Sequence, residues 1–322
     1  MPDPNEKETI GVILLNMGGP ERLEDVEPFL FNLFSDREII RLSPFPFLQK
    51  FIASRIAKKR APKSSESYRL IGGGTPLGRI TAGQCKALEE QLEEAGNFKV
   101  RMAMRYWHPF AAETLKLFDL AGVRRIIALT LYPHYSKATT GSSVADLRKA
   151  AKAYGAAFTI KEISSWPDHP QYVSALAATI RQGVQEFGKE TPQVVYSAHS
   201  LPVKFVEEGD PYLDHVRRTI AAVEKELGIS GELCFQSRSG PVRWLTPSTP
   251  DKLKELAARG CRNILMVPIS FVSDHVETLY EIDILYRQMA EDLGMQLKRS
   301  ASLNTNPDFI ACLRDLVLSV CK

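Results

Sequence analysis

The sequence predicts an α/β protein built from doubly wound, Rossmann-like parallel sheets in two domains. Three observations carry that expectation. Short apolar, β-branched runs alternate with longer amphipathic stretches along the whole chain, the pattern of parallel strands joined by helices. Polar and aromatic residues gather directly after those runs, at the carboxyl strand ends where such sheets carry their sites. A chain of 322 residues is also long for one compact domain, which favours two domains sharing an interface.

The elements follow in order. The run at 12–15 ends in Asn16-Met17-Gly18-Gly19-Pro20 and leads to a helix over 24–34. The run at 100–105 ends in Tyr106-Trp107-His108-Pro109, before a helix over 111–120. The run at 126–131 passes through Tyr132-Pro133-His134-Tyr135-Ser136 into a helix over 143–153, and the run at 158–163 precedes one over 170–187. The run at 194–197 ends at His199 and Ser200, with a helix over 211–227 after it. The run at 233–236 ends in Ser237-Arg238-Ser239, before a helix over 250–259. The run at 264–269 opens through residues 270–275 into a long helix over 276–293, and a last amphipathic stretch covers 307–320. The expected seam lies within 130–165, giving an N-terminal domain over 1–130 and a C-terminal one over 131–302, with the C-terminal helix at 303–322 free to rejoin the first.

Composition narrows the function class. With 44% apolar and 25% charged residues the chain is ordinary globular protein, which removes disordered, collagen-like and disulfide-scaffold classes. A net charge of +3 is too mild to argue for nucleic acid. Five cysteines without a CxxC pair suit free thiols in the cytoplasm. The acidic, proline-containing start is unlike a signal peptide, and no run approaches the ~18–20 apolar residues that span a bilayer.

Two constellations carry chemistry. In the segment 274–281, Glu277 and Glu281 stand at i and i+4, so on an α-helix their carboxylates share a face. A bound cation explains that pairing; so does an acid-type helix cap, Asp274-x-x-Glu277. His275 tilts the balance toward metal, since imidazole with carboxylates suits divalent iron, zinc, cobalt or nickel rather than calcium. His199, at a carboxyl strand end, can exchange protons near neutrality or act as a ligand. Ser200 beside it does not make a hydrolase, because the chain has no G-x-S-x-G elbow.

The Gly-rich segment at 71–78 lacks the Lys-Ser/Thr ending of a phosphate loop and reads instead as a turn where backbone approaches a flat ligand or a neighbouring helix. Residues 41–63 hold seven basic and no acidic residues, interleaved with Phe45, Phe47, Phe51 and Ile52. That is either a helix packing its apolar face on the body or one lying in a membrane interface.

Together these strings resemble the ferrochelatase family over nearly the whole chain: LLNMGGP at 14–20, GGGTPL at 72–77, RYWHPF at 105–110, YPHYS at 132–136, TTGSS at 139–143, SAHSLP at 197–202 and PISFVSDHVETLYEID at 268–283. The resemblance implies two α/β domains around a porphyrin cleft, and insertion of Fe2+ into protoporphyrin IX to give protohaem. It implies His199 and Glu277 as catalytic residues, with Asp274, His275 and Glu281 extending them as a chain for metal or protons. Met17, Arg105, Tyr106, Tyr132, Ser136 and Trp244 match porphyrin-pocket positions. The segment 45–60 matches the lip of the cleft, so the interfacial reading becomes the favoured one, with an anionic membrane surface as partner and a peripheral place on the inner face of the membrane. Some members hold a [2Fe-2S] cluster through a cysteine in the YPxYS segment and three in a C-terminal extension; here Lys137 occupies the internal position, and neither this cluster nor another tightly bound cofactor is expected. Members acting on coproporphyrin usually carry Tyr where this chain has Met17, which leans the substrate toward protoporphyrin. The alternatives are a coproporphyrin enzyme or another class II tetrapyrrole metal chelatase. A porphyrin carrier does not need the row of acids.

Overall fold

A computed structural model describes residues 8–155 and 157–321. The first half runs β1 (Ile10–Asn16), α1 (Val26–Ser35), α2 (Pro46–Leu70), α3 (Leu77–Leu92), β2 (Phe98–Met104), α4 (Ala111–Leu120), β3 (Arg125–Thr130), α5 (Ser142–Tyr154) and β4 (Thr159–Ile163). The second runs α6 (Pro170–Gln185), β5 (Gln193–His199), α7 (Val203–Glu207), α8 (Tyr212–Leu227), β6 (Gly231–Gln236), α9 (Thr249–Ala258), β7 (Asn263–Pro268), a π-helix at Glu277–Tyr286, α10 (Arg287–Asp292), β8 (Gln296–Arg299) and α11 (Pro307–Ser319). The strands form two four-stranded sheets, ordered β2-β1-β3-β4 and β6-β5-β7-β8. Every pairing is parallel.

Both faces of each sheet are covered, which is why the central strands read as continuous apolar runs. In β1 the alternation of side chains sends Val12 and Leu14 into one core, and Ile13 and Leu15 into a second with Leu115 and Phe118 of α4 and Leu147 of α5. In β5, Val194 and Tyr196 join the core of Val12 and Leu14, while Val195 faces a third with Leu253 of α9 and Ile282 of the π-helix. The two sheets therefore share one interior, filled from α3, α6, α8 and α11.

The seven expected runs are all strands, but two features fall elsewhere. Thr159–Ile163 pairs with β3, so the boundary at 130/131 cuts through the first sheet. The Arg314 guanidinium donates to the Gln91 carbonyl, tying α11 to α3 in the first half, while the packing of α11 on α6 ties it to the second.

The Gly-rich segment is a structural junction. Gly72 and Gly73 adopt φ of +104° and +94°, and a Cβ on Gly74 would stand 2.0 Å from the Glu21 carbonyl oxygen. The expected close approach of backbone is present, but what it approaches is the loop after β1 rather than a neighbouring helix.

Helix α2 buries a stripe four residues apart, Gln49 followed by Ala53, Ala57 and Ala61, and the three small alanines let it lie close on α1. The aromatics do not take part: Phe45, Phe47 and Phe51 are 58%, 77% and 58% exposed. Packing of the aromatic face on the body is thus excluded. No helix among the described residues is long and apolar enough to cross a membrane.

Candidate active site

Strand β5 changes sides between its neighbours, since β6 lies on one flank and β7 on the other. That switch point opens a crevice at the carboxyl ends of β5 and β7, where doubly wound sheets bind ligands. His199 is the last residue of β5 and pairs in register with Gln236, the last of β6. Residues 270–276 cross from β7 to the π-helix.

His199 Nδ1 lies 2.7 Å from Glu277 Oε2. Around the ring, Tyr212 donates its hydroxyl to the His199 carbonyl at 2.8 Å and the His199 N–H donates to Ser270 Oγ at 3.3 Å, fixing the strand end. Nε2 has no hydrogen-bond partner among the described residues, and the side chain is 36% exposed, so that nitrogen is left for a ligand. With Nδ1–H donated to the carboxylate, the neutral ring presents a lone pair at Nε2.

The second acid is coupled through Ser237. The Ser237 hydroxyl lies 2.7 Å from Glu277 Oε2 and 2.6 Å from Glu281 Oε2. Ser237 reaches both from a φ of +65°, a left-handed conformation rare outside glycine that clusters at functional sites. Gln236 Nε2 and the Tyr286 hydroxyl also donate to Glu281 Oε2, at 3.1 and 3.4 Å. The π-helix, with its wider turn, carries both acids, where the sequence led to an α-helix; such turns recur at functional sites.

Electrostatics separates these groups. Burial disfavours the charged ring of His199, but the Glu277 carboxylate outweighs it and the pKa lies above the ordinary histidine value. Burial likewise opposes ionisation of Glu277, yet the His199 charge and hydrogen bond hold it well below the usual carboxylate range. Glu281 is driven the other way, first by burial and then by the Glu277 charge.

The expected five-residue metal set divides. Asp274 turns away: Arg299 lies 3.1 Å from its Oδ1, and Ser302 and Asn304 donate to it at 2.7 and 2.8 Å. Those partners come from the C-terminal segment, invisible to a reading confined to 274–281. His275 is buried, with Nδ1 3.0 Å from the Ser273 carbonyl and its ring 4.4 Å from that of Phe271. Among the described residues no group of three or more His, Cys, Asp or Glu side chains converges to hold a metal ion. The cap reading of Glu277 fails too: its carboxylate meets His199 and Ser237 side chains, while the Asp274 N–H donates to Asn304 Oδ1 at 2.9 Å.

The pocket residues also sort themselves. The Trp244 segment bridges antiparallel to Pro202, in the turn that follows His199. Met17 packs against the α1–α2 cluster, into which Val276 also reaches, and Arg60 of α2 donates to Ser239 Oγ at 2.7 Å across the two halves. Tyr132 is half-buried. Tyr106 and Ser136 are buried, and their hydroxyls donate to Asp36 at 2.7 Å and to Asp210 at 3.0 Å. Arg105 is drawn to Asp36 as well, at 2.9 Å. A separate groove of about 450 Å³ runs along α8 and β6, and no candidate residue lines it.

Sequence reasoning missed Ser237, Gln236 and Asp36. Only the position of the first two at a strand end could have pointed to them.

Two parallel sheets with a crevice at the switch point of the second form a fold that solved chelatase structures share. Sirohydrochlorin chelatase SirB of Bacillus subtilis in complex with cobalt aligns with a TM-score of 0.57 at 10% identity, covering 97% of this chain and 94% of that one. CbiX aligns at 0.53 and 12% identity, covering 96% of this chain and 99% of that one. At the level of sequence the match is narrower. The family profile Ferrochelatase matches residues 9–320. The chain is 58% identical to the ferrochelatase of Desulfotalea psychrophila, with 96% of each covered, and 52% identical to that of Geotalea uraniireducens, with 96% of this chain and 97% of that protein covered. The chain belongs to the ferrochelatase family. It is an enzyme, a lyase of haem biosynthesis that inserts ferrous iron into a porphyrin.

Proposed function

We propose that the porphyrin is protoporphyrin IX, and that His199 Nε2 takes pyrrole protons while Glu277 and Glu281 carry charge away from it. The observation behind this reading is the 2.7 Å contact of His199 Nδ1 with Glu277, which leaves Nε2 free. Metal insertion requires removal of two pyrrole protons, and a ring whose basicity the Glu277 carboxylate raises suits their acceptance. Once protonated, the imidazolium is stabilised by Glu277. Ser237 has one proton for two carboxyl oxygens, so both its contacts are hydrogen bonds only when one acid is protonated. The upward shift of Glu281 makes it the acid that holds the proton. Ferrous iron is the substrate that replaces the lost protons, and this row of acids is its route or theirs.

Met17 supports protoporphyrin over coproporphyrin. The division into domains is best drawn after Ile163, with α11 rejoining the first half. The exposed Phe45, Phe47 and Phe51 beside the cations of α2 support peripheral attachment to an anionic membrane surface, with Ile52 half-buried behind them. The direct test is anaerobic mixing of the protein with ferrous iron and either protoporphyrin IX or coproporphyrin III. A haem spectrum that grows faster with protoporphyrin supports the proposal; faster insertion into coproporphyrin refutes it.

A further inference from the structure

We propose that Gln236 is a positioning residue whose side-chain amide sets the reach between His199 and the two acids. The inference rests on the working role of Glu281 proposed above. Gln236 is 1% exposed, and burial of an amide demands that its donors and acceptor be matched. They are matched in a revealing way. Oε1 accepts from Ser197 Oγ at 2.6 Å, two residues before His199 on β5. Nε2 donates to the Glu277 carbonyl at 3.0 Å and to Glu281 Oε2 at 3.1 Å. One rigid plane thus links the strand that carries the base to the helix that carries both acids. The backbone of the same residue accepts from the Ser200 N–H at 2.9 Å, so Gln236 grips β5 on both sides of His199.

The orientation of the amide is set by chemistry. Its carbonyl end meets a hydroxyl, whereas its NH2 end meets two acceptors, and a flipped amide would oppose a carbonyl oxygen to a carboxylate. No other neutral side chain of that length supplies one acceptor and two donors. Gln236 does not touch the space before His199 Nε2. Its effect on the reaction passes through Glu281 and the placement of Glu277.

A double-mutant cycle separates this from general support of the fold. Gln236→Met keeps length and burial but removes both donors. It is expected to lower kcat about tenfold, with porphyrin affinity, read by fluorescence quenching, unchanged. In a Glu281→Gln background the same change should cost less than about twofold, because the group it acts through is already altered. Ser197→Ala, which frees the carbonyl end, should lose about threefold in the wild type and less in the second background; it carries the cycle if Gln236→Met does not fold. Equal losses in both backgrounds, or a loss in porphyrin affinity rather than kcat, overturn the proposal. Full activity of Glu281→Gln on its own refutes the role of that acid, a result read independently of Gln236, and with it any action of Gln236 through it.

Discussion

Replacing Glu277 by Gln keeps the shape of the site and removes one charge, so the consequence can be worked from the contacts. The one oxygen that meets both partners, Oε2, becomes an amide oxygen that can still accept from His199 Nδ1–H and from the Ser237 hydroxyl, leaving the geometry close to that of the 2.7 Å pair. What disappears is the charge that stabilises the imidazolium formed when Nε2 takes a proton. A hydrogen bond to a charged group contributes about 1.5–3 kcal/mol, against about 1 for a neutral one. At about 1.4 kcal/mol per decade, turnover should fall by about tenfold and up to about a hundredfold. Stability should hardly change, and relief of repulsion with Glu281 offsets part of the lost bond. The pH profile adds an independent sign. The base works when neutral, so the rate falls as pH drops through its pKa. Glu277 holds that pKa above the ordinary value, and Glu277→Gln should therefore move the acid limb to lower pH. The assay is anaerobic chelation of ferrous iron and, as a surrogate, zinc, over a pH series with melting temperature alongside. Full turnover with both metals and an unmoved acid limb would falsify the reasoning.

His199→Ala should lose on the order of 10²- to 10⁴-fold in chelation while retaining porphyrin binding; activity within about threefold of wild type removes the residue from the mechanism. Phe47→Ser with Phe51→Ser should weaken sedimentation with anionic vesicles, and added salt should release part of the wild-type protein, because each cation near the surface contributes about 1 kcal/mol that salt screens. Indifference to lipid charge at all salt levels contradicts the electrostatic half. His134 is buried, with Nε2 2.8 Å from Thr219 Oγ1, and burial followed by the His215 charge pushes its pKa down to about 3. The unfolded chain binds that proton below about 6.5 and the folded one does not, so stability falls as pH drops through this window; His134→Gln should flatten the slope by up to about 1.4 kcal/mol per unit, and an unchanged slope in acid denaturation argues against it.

Much of the fold was legible because parallel strands covered on both faces leave unbroken apolar runs, and Val12 to Leu15 is as plain as Val194 to Tyr196. Strand β8 was not, since Gln-Leu-Lys-Arg at a sheet edge buries one side chain fully and gives no run. Helix α3 was hidden behind the glycines that precede it, and by Gly83 within it. In the site, His199 and Glu277 were visible as residue types in a telling place. Asp274 misled for a physical reason: neighbours in sequence point to different sides of a helix start, and its carboxylate is claimed by Arg299, twenty-five residues later in the chain. The wider π turn left no mark, because periodicity over ten residues cannot separate it from an α-helix. Gln236 and Ser237 announce nothing alone; their meaning comes from β6 lying beside β5.

The interior shared by the two sheets bears on how a stiff, flat substrate gets in. Walls that grow from one packed core cannot swing apart as a hinge without breaking that core. The pair α1 and α2 packs around a separate, smaller cluster that includes Phe29, Ala57 and Tyr68 and is completed by Tyr106 from just beyond the end of β2. Fewer buried apolar side chains hold it than hold the shared interior, so amide hydrogens there should exchange well before those of β1 or β5. Helix α2 of that pair also carries the outward-facing Phe47 and Phe51, so the part of the molecule expected to exchange first is the part with the exposed aromatics.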